Sequence, residues 1–206
     1  ALGIARTVAD ALAYAWEHGN VLHRDIKPPN IMLDVSQEPR IMDMGIAKSV
    51  VEDSHLTTTG IAMGTPHYMS PEQAKGKHDL DFRTDMYSLG ATLFHIIAGG
   101  VPFTGNSAME VVVKHLHDPL PSIRRLAPGT SQACEELLIR MMAKDPNHRY
   151  PSWETCIWDM EAVIKGRMPK TAMARVARQA SQRLVVQRQV TGGGAGHGRQ
   201  AAPFWN

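Results

Sequence analysis

Features that stabilise secreted domains or anchor membrane proteins are scarce in this sequence. It has two cysteines, Cys134 and Cys156, which are too few for a disulfide framework and lack the spacing of a metal-binding pair. No window approaches the roughly 20 apolar residues of a membrane-spanning helix, and the opening ALGIARTVAD has neither the basic region nor the apolar core of a signal peptide. We therefore expect a cytoplasmic protein.

Acidic residues are absent from the last part of the chain. All 20 Asp and Glu residues precede Ala162, whereas eight of the 22 Lys and Arg residues follow it. The hydrophobic fraction of 43% is sufficient for one core. We predict one folded domain over residues 1–165 and a basic, glycine-containing tail over residues 166–206.

The tail supports two interpretations. Its apolar residues repeat at helical spacing beside the eight basic residues, and a basic amphipathic helix can lie on an anionic membrane surface. Long charged segments are also commonly solvated linkers that lead to another domain. The first interpretation predicts membrane association of a full-length form, and neither predicts binding to a specific nucleic acid.

Apolar residues repeat every three or four positions over most of the domain, which is typical of amphipathic helices. Such stretches lie at residues 2–16, 86–97, 109–116, 134–141 and 153–164. Two short apolar segments at 31–33 and 40–42, separated by a polar stretch, predict a β-hairpin. Residues 46–81 show no period. The pattern predicts a mainly α-helical domain with one small hairpin.

Charged and amide side chains are concentrated around this hairpin. The segment HRDIKPPN, residues 23–30, precedes the first strand, and Asp43 follows the second. An antiparallel hairpin brings Asn30 and Asp43 to the same end, where their side-chain oxygens could ligate a hard cation such as Mg²⁺. Asp25 and Lys27 would stand beside that metal, an arrangement that suits phosphoryl transfer. Any single Asp or Lys here, taken alone, is better explained as a solvated loop residue.

These two segments resemble the catalytic loop H-R-D-x-K-x-x-N and the metal loop D-F-G of the protein kinases. Three further motifs follow in the family's order: GTPHYMSPE at 64–72, DMYSLG at 85–90 and DPNHR at 145–149. They resemble the end of the activation segment, the start of the buried central helix and the late arginine motif. The resemblance implies the C-terminal lobe of a protein kinase, the helical part of an α+β fold, and SPEQA resembles bacterial, eukaryotic-like members.

The resemblance implies a role for each matched residue of the nucleotide site, with ATP and Mg²⁺ as cofactors. Asp25 would orient the acceptor hydroxyl or take its proton, and Lys27 would stabilise the γ-phosphate. Asn30 and Asp43 would hold Mg²⁺. Met32 would lie beneath the adenine ring, although core packing explains an apolar residue there equally well.

Substrate and regulatory residues are also implied. Lys27, together with Thr65 in the segment that meets the substrate, resembles the serine/threonine-specific branch, so protein substrates with Ser or Thr acceptors are expected. Arg24 would pair with a phosphate on the activation segment, and Thr57 and Thr59 are the predicted phosphorylation sites. A threonine-rich loop without a regulatory role is the alternative.

Other matched residues are expected to be structural. Glu72 and Arg149 would form a buried ion pair that ties the activation segment to the late helices. His23 and Asp85 would brace the catalytic loop. Met44 would pack on His23 where the family usually has Phe, and the adaptable Met side chain should preserve that packing.

The 206 residues contain no counterpart of the family's N-terminal lobe: no glycine-rich phosphate loop, no strand lysine and no helix glutamate. The glycine cluster at 192–198 fails the G-x-G-x-x-G spacing. A fragment of a longer product, a truncated reading frame and a stand-alone lobe are three explanations. We expect a partial serine/threonine kinase domain that is inactive without the N-terminal lobe as its partner, and a non-catalytic interaction module is the alternative.

Overall fold

The computed structural model describes residues 1–43 and 66–170. The residues Ala1–Pro169 form one compact unit. Its longer elements are α1 (Leu2–Gly19), β1 (Ile31–Leu33), β2 (Pro39–Ile41), α2 (Pro71–Ala74), α3 (Phe82–Ala98), α4 (Ala108–His117), α5 (Ile123–Leu126), α6 (Gln132–Met141) and α7 (Trp153–Ile164). Three single 3₁₀ turns lie at Pro28–Asn30, Pro66–Tyr68 and Pro146–His148. The prediction of a mainly helical domain with one small hairpin is confirmed.

Helix α3 is the centre of the core. Its residues 84–94 are all buried, so it is a helix enclosed by protein rather than an amphipathic surface helix. It begins where the Asp81 side chain accepts a hydrogen bond from the Arg83 N–H, and it ends at Gly99, whose φ of 72° suits a residue without a side chain. Gly90 allows α6 to approach α3 closely, because a Cβ there would lie 2.8 Å from Cγ of Met142.

Helices α1 and α7 pack together on one side of the core. The buried stripe of α1 consists of Ala5, Val8, Ala9, Leu12 and Ala13, small and branched residues at helical spacing. The helix ends at Asn20, in the left-handed conformation that closes many helices.

Cys134 and Cys156 are free and buried within this helical core, and burial raises the pKa of both thiols. Neither thiol therefore has the low pKa and exposure of a reactive cysteine.

The two strands form an antiparallel hairpin with Ile31 opposite Ile41. Asp34 closes the turn, since its Oδ1 accepts hydrogen bonds from the N–H groups of Ser36 and Glu38. The second strand lies one residue earlier than the predicted 40–42. Pairing nevertheless continues to Met42, whose N–H donates to the Asn30 carbonyl at 2.8 Å. Among the described residues, no helix is both long and apolar enough to cross a membrane.

Candidate active site

The Asp25 carboxylate lies at the centre of a small polar network. Its Oδ2 accepts hydrogen bonds from Lys27 Nζ at 2.9 Å and from Asn30 Nδ2 at 3.3 Å. The same Asn30 nitrogen donates to the Asp25 backbone carbonyl at 2.8 Å. Asn30 is buried, whereas the side chains of Asp25 and Lys27 are each about one-quarter to one-third exposed. The carboxylate is thus held from within the protein and accessible from outside.

Local backbone geometry brings Asn30 back onto Asp25. Pro28 and Pro29 occupy the first positions of a single 3₁₀ turn, where a fixed φ favours the turn and the missing N–H groups are not needed. The turn closes when the Asn30 N–H donates to the Lys27 carbonyl at 3.0 Å. This compact turn of Pro28, Pro29 and Asn30 therefore places the Asn30 side chain beside Asp25.

Asn30 and Asp43 lie at the same end of the hairpin. The Met42 N–H donates to the Asn30 carbonyl, and Asp43 follows immediately. Asp43 has a φ of 51°, in the left-handed region that Asp adopts more readily than most residues. Backbone strain of this kind is concentrated at functional sites.

The donor set at this end fits Mg²⁺. Asn30 uses its amide nitrogen on Asp25, so its amide oxygen is the atom that can face a metal, and Asp43 supplies a carboxylate. Within residues 1–43 and 66–170, no group of three or more His, Cys, Asp or Glu side chains could hold a metal ion. A cation here would need phosphate oxygens and water as its remaining ligands, which is how Mg²⁺ usually binds with nucleotides.

Asp85, near the start of α3, holds the backbone that precedes Asp25. Its two carboxylate oxygens accept hydrogen bonds from the N–H groups of His23 and Arg24, both at 2.8 Å. Burial raises the pKa of the Asp85 carboxyl, and the two N–H donors act in the opposite direction. The carboxylate therefore fixes two consecutive peptide groups at the entrance to the catalytic loop.

The His23 ring connects both halves of the site. Its Nδ1 accepts a hydrogen bond from the Asp25 N–H at 3.3 Å, and its Nε2 lies 2.9 Å from the Met42 carbonyl. Because a carbonyl can only accept, Nε2 carries the ring proton and the imidazole is the neutral Nε2–H tautomer. The ring thus links the Asp25 backbone to the residue that precedes Asp43.

Two contacts to the catalytic loop are not foreseeable from the sequence. Gln73 of α2 donates from Nε2 to the Arg24 carbonyl at 2.9 Å. Thr92 of α3 donates from Oγ1 to the Ile26 carbonyl at 3.3 Å. These partners are 49 and 66 residues apart, and neither Gln nor Thr has a sequence pattern that signals such a bond.

Glu72 and Arg149 form a buried, two-point ion pair. The Arg149 nitrogens Nη1 and Nη2 lie 2.6 and 2.8 Å from the two Glu72 oxygens. Thr84 donates to the same carboxylate at 2.9 Å, and the guanidinium lies 4.9 Å from the Tyr87 ring centroid. Burial alone would raise the pKa of Glu72, but the hydrogen bonds and charge of Arg149 outweigh it and hold that pKa below its usual value.

The remaining site residues of the sequence-based prediction fall into two groups. Met32 is 55% exposed on β1, so it is not part of the core. Met44, Thr57, Thr59 and Thr65 lie outside the described residues.

Comparison with known proteins identifies the family. The protein kinase domain model matches residues 2–158. The chain belongs to the protein kinase domain family. This kinase lobe contains the motif residues described above, and its Asp25, Lys27, Asn30 and Asp43 all fall within the matched range.

Curated relatives of the kinase lobe are bacterial serine/threonine kinases. It is 39% identical over 165 residues to serine/threonine-protein kinase PrkC of Bacillus subtilis. The matched region covers 80% of this chain and 24% of the relative. It is 40% identical over 148 residues to the DNA damage-responsive serine/threonine-protein kinase RqkA of Deinococcus radiodurans, with 72% and 22% covered. It is 34% identical over 172 residues to serine/threonine-protein kinase PknB of Mycobacterium tuberculosis, with 82% and 27% covered. The chain spans about a quarter of the length of these relatives.

Proposed function

We propose that this lobe supplies the catalytic loop and metal ligands of a kinase that transfers the ATP γ-phosphate to Ser or Thr hydroxyls of proteins. The observation that carries the proposal is the Asp25 carboxylate, held by Lys27 and Asn30 beside the hairpin end where Asp43 lies. Bacterial relatives that match this domain at 34% to 39% identity carry serine/threonine kinase names. Phosphoryl transfer depends mainly on positioning and charge neutralisation, and this network provides both.

Each residue of the network has a distinct task. Asp25 orients the acceptor hydroxyl and takes its proton as the oxygen bonds to the γ-phosphorus and the bond to the ADP oxygen breaks. Lys27, 2.9 Å from Asp25, presents its ammonium to the transferring phosphoryl group. Asn30 and Asp43 would hold Mg²⁺, which neutralises phosphate charge when bound. Exposed Met32 would provide the apolar floor for the adenine ring.

Substrate binding and regulation involve residues outside the described part of the chain. Thr65 would contact the protein substrate beside its acceptor. Thr57 and Thr59 would be phosphorylated, and Arg24 would pair with the added phosphate. A phosphothreonine brings nearly two negative charges, so this pairing would order the activation segment in the active form. Phosphopeptide mapping of the active protein that finds both threonines unmodified would contradict this switch.

The test uses a version of this protein extended upstream in the genome. We expect it to transfer labelled phosphate from ATP with Mg²⁺ to a generic Ser/Thr substrate. Asp25→Asn and Asp43→Ala should each abolish transfer, because they remove the proton acceptor and a metal ligand. Asp79→Asn, which changes an exposed carboxylate outside the network, is the matched control and should retain wild-type activity.

Comparison of the extended proteins with residues 1–206 alone separates the alternatives. Residues 1–206 alone should transfer no phosphate, because the glycine-rich loop and strand lysine of the N-terminal lobe complete the nucleotide site. An extended product that binds a partner protein but never transfers phosphate would favour a non-catalytic interaction module. Transfer by residues 1–206 that Asp43→Ala abolishes would contradict the need for the N-terminal lobe.

The tail at 166–206 is proposed to contact an anionic surface while the lobe works in the cytoplasm. The basic charge of the tail, unbalanced by any acidic residue, supports this. Binding of the extended protein to vesicles of anionic lipid should fall when residues 166–206 are deleted and should weaken with salt. Binding that persists after the deletion would exclude the tail as the anchor.

A further inference from the structure

Gln73 contacts the catalytic loop from helix α2. Its side-chain nitrogen Nε2 donates to the Arg24 backbone carbonyl at 2.9 Å. That helix begins at Pro71, directly after its N-cap Ser70, and the accepting carbonyl belongs to the residue before Asp25. A single amide therefore joins the end of the activation segment to the catalytic loop.

The accepting carbonyl belongs to a strained residue. Arg24 has a φ of 65°, in the left-handed region that residues with a side chain seldom adopt. Such a conformation persists only where neighbouring groups impose it. The N–H of Arg24 is held by Asp85 of α3, and its carbonyl is held by Gln73 of α2. Side chains from two different helices therefore fix the peptide groups on both sides of Arg24.

The peptide group that joins Arg24 to Asp25 is held at both poles. Its oxygen accepts from Gln73, and its N–H donates to His23 Nδ1 at 3.3 Å. Because a peptide group is planar, fixing its oxygen and hydrogen fixes the position of the next Cα. The Asp25 side chain leaves the backbone from that Cα. Rotation of this plane would move the carboxylate relative to Lys27 and Asn30.

The orientation of the Gln73 amide is itself determined by the helix cap. The Ser70 N–H donates to Gln73 Oε1 at 3.1 Å, and Ser70 Oγ accepts from the Gln73 N–H at 3.3 Å. This reciprocal pair is a capping box. It requires Oε1 to be the acceptor, so Nε2 is the donor that faces Arg24.

We propose that Gln73 is a positioning residue for phosphoryl transfer: its Nε2 donation to the Arg24 carbonyl holds the Asp25 carboxylate in its catalytic orientation. The inference rests on the proposed kinase function. Helix capping alone does not require glutamine, since Glu at the same position completes the box equally well. Glu has no donor, however, and would place a carboxylate oxygen against the Arg24 carbonyl. The two roles of Gln73 can therefore be separated by substitution.

The test uses the upstream-extended kinase with three substitutions. Gln73→Glu keeps the cap and loses the donor, so kcat should fall about 10- to 100-fold, the size expected from a small misplacement of a reacting group. The KM for ATP and the unfolding midpoint should stay close to those of the wild type. Gln73→Lys keeps a donor but loses the cap acceptor, and should retain most of kcat. Ser70→Ala is the matched control: it removes the cap hydroxyl, so stability should fall while kcat changes little.

Two results would overturn the proposal. One is a Gln73→Glu enzyme with wild-type kcat, and the other is an equal loss of kcat in Gln73→Glu and Ser70→Ala, which would make the effect one of helix stability. If Gln73→Glu does not fold, Gln73→Met replaces it in the test, because Met is uncharged and similar in length. Wild-type kcat, or a loss of kcat equal to that of Ser70→Ala, would again overturn the proposal. An inactive wild-type enzyme would instead contradict the proposed function, and the inference would fall with it.

Discussion

The Arg149 guanidinium meets the Glu72 carboxylate through two parallel contacts of 2.6 and 2.8 Å, and its side chain is fully buried. This forked ion pair joins α2, which contains Glu72, to the segment just before α7, which contains Arg149. The geometry is specific to arginine, because lysine cannot present two parallel N–H donors. The pair therefore fixes α2 against the late helices through one interaction.

Arg149→Met should be strongly destabilising. It leaves the Glu72 carboxylate buried without its counter-ion, a change that costs about 3–5 kcal/mol of unfolding free energy. Urea denaturation of the lobe measures this loss. Arg40→Met, which breaks an exposed ion pair with Asp34, is the control and should cost far less. Equal losses for the two variants would show that burial of the fork contributes nothing.

Acid should weaken the lobe through Glu72. The folded-state pKa of Glu72 lies below the usual value of a glutamate, so the unfolded state takes up protons first as pH falls. The stabilisation is fully present above about pH 5 and is lost as pH falls through the folded pKa. In Arg149→Met, burial without a counter-ion should instead raise the pKa of Glu72. Its stability deficit relative to the wild type should therefore shrink between pH 6 and about pH 4, measured by urea denaturation at each pH. A deficit that is constant with pH would contradict this account.

Asp85→Asn should reduce kcat without unfolding the lobe. Asn offers one acceptor oxygen where His23 and Arg24 present two N–H donors, so one backbone contact to the catalytic loop is lost. We expect kcat of the extended kinase to fall about 10- to 100-fold, as for other small displacements of catalytic groups. Thr92→Val removes only the 3.3 Å contact to Ile26 and should have a much smaller effect. The reverse order of effects would contradict the assignment of Asp85 as the main support.

Gly90→Ala should destabilise the core by overpacking. The added methyl would lie 2.8 Å from Met142 Cγ and 3.0 Å from Met141 Cβ, closer than carbon atoms pack. Overpacking of this size costs about 1–3 kcal/mol. Gly3→Ala is the control, because no atom lies within 4 Å of the new methyl and Ala favours the helix by up to about 1 kcal/mol. We therefore expect Gly90→Ala to lower the unfolding free energy and Gly3→Ala to raise it. A Met142→Ala background should relieve the contact of 2.8 Å and so reduce the loss, but not the contact of 3.0 Å with Met141 Cβ.

The sequence predicted features that depend on neighbouring residues better than those that depend on distant ones. Helices α1, α3, α4, α6 and α7 have long apolar stripes, and all five were foreseen. The one-turn helices α2 and α5 have four residues each, too few to show a helical period. The second strand was predicted one residue late, because its first residue, Pro39, does not belong to the apolar pattern.

The same distinction applies to the candidate site. The contacts of Asp25 with Lys27 and Asn30 span two and five residues, so the motif itself indicates them. The Met42 carbonyl as a partner of His23 was not foreseen, because a backbone carbonyl has no sequence signal. Gln73 and Thr92 were missed for a related reason: their bonds exist only after α2 and α3 have packed against the loop.

The anchoring of the catalytic loop to α3 also determines when the loop can open. The N–H groups of His23 and Arg24 are bonded to Asp85, which is buried within the most enclosed helix of the lobe. These two amide hydrogens can exchange with solvent only when the Asp85 carboxylate releases them. Their exchange should therefore be as slow as that of core amides, although they belong to a loop. This attachment opposes local fraying, which commonly gives enzymes a mobile active-site loop, and we expect the loop to open only when its contact with α3 is lost.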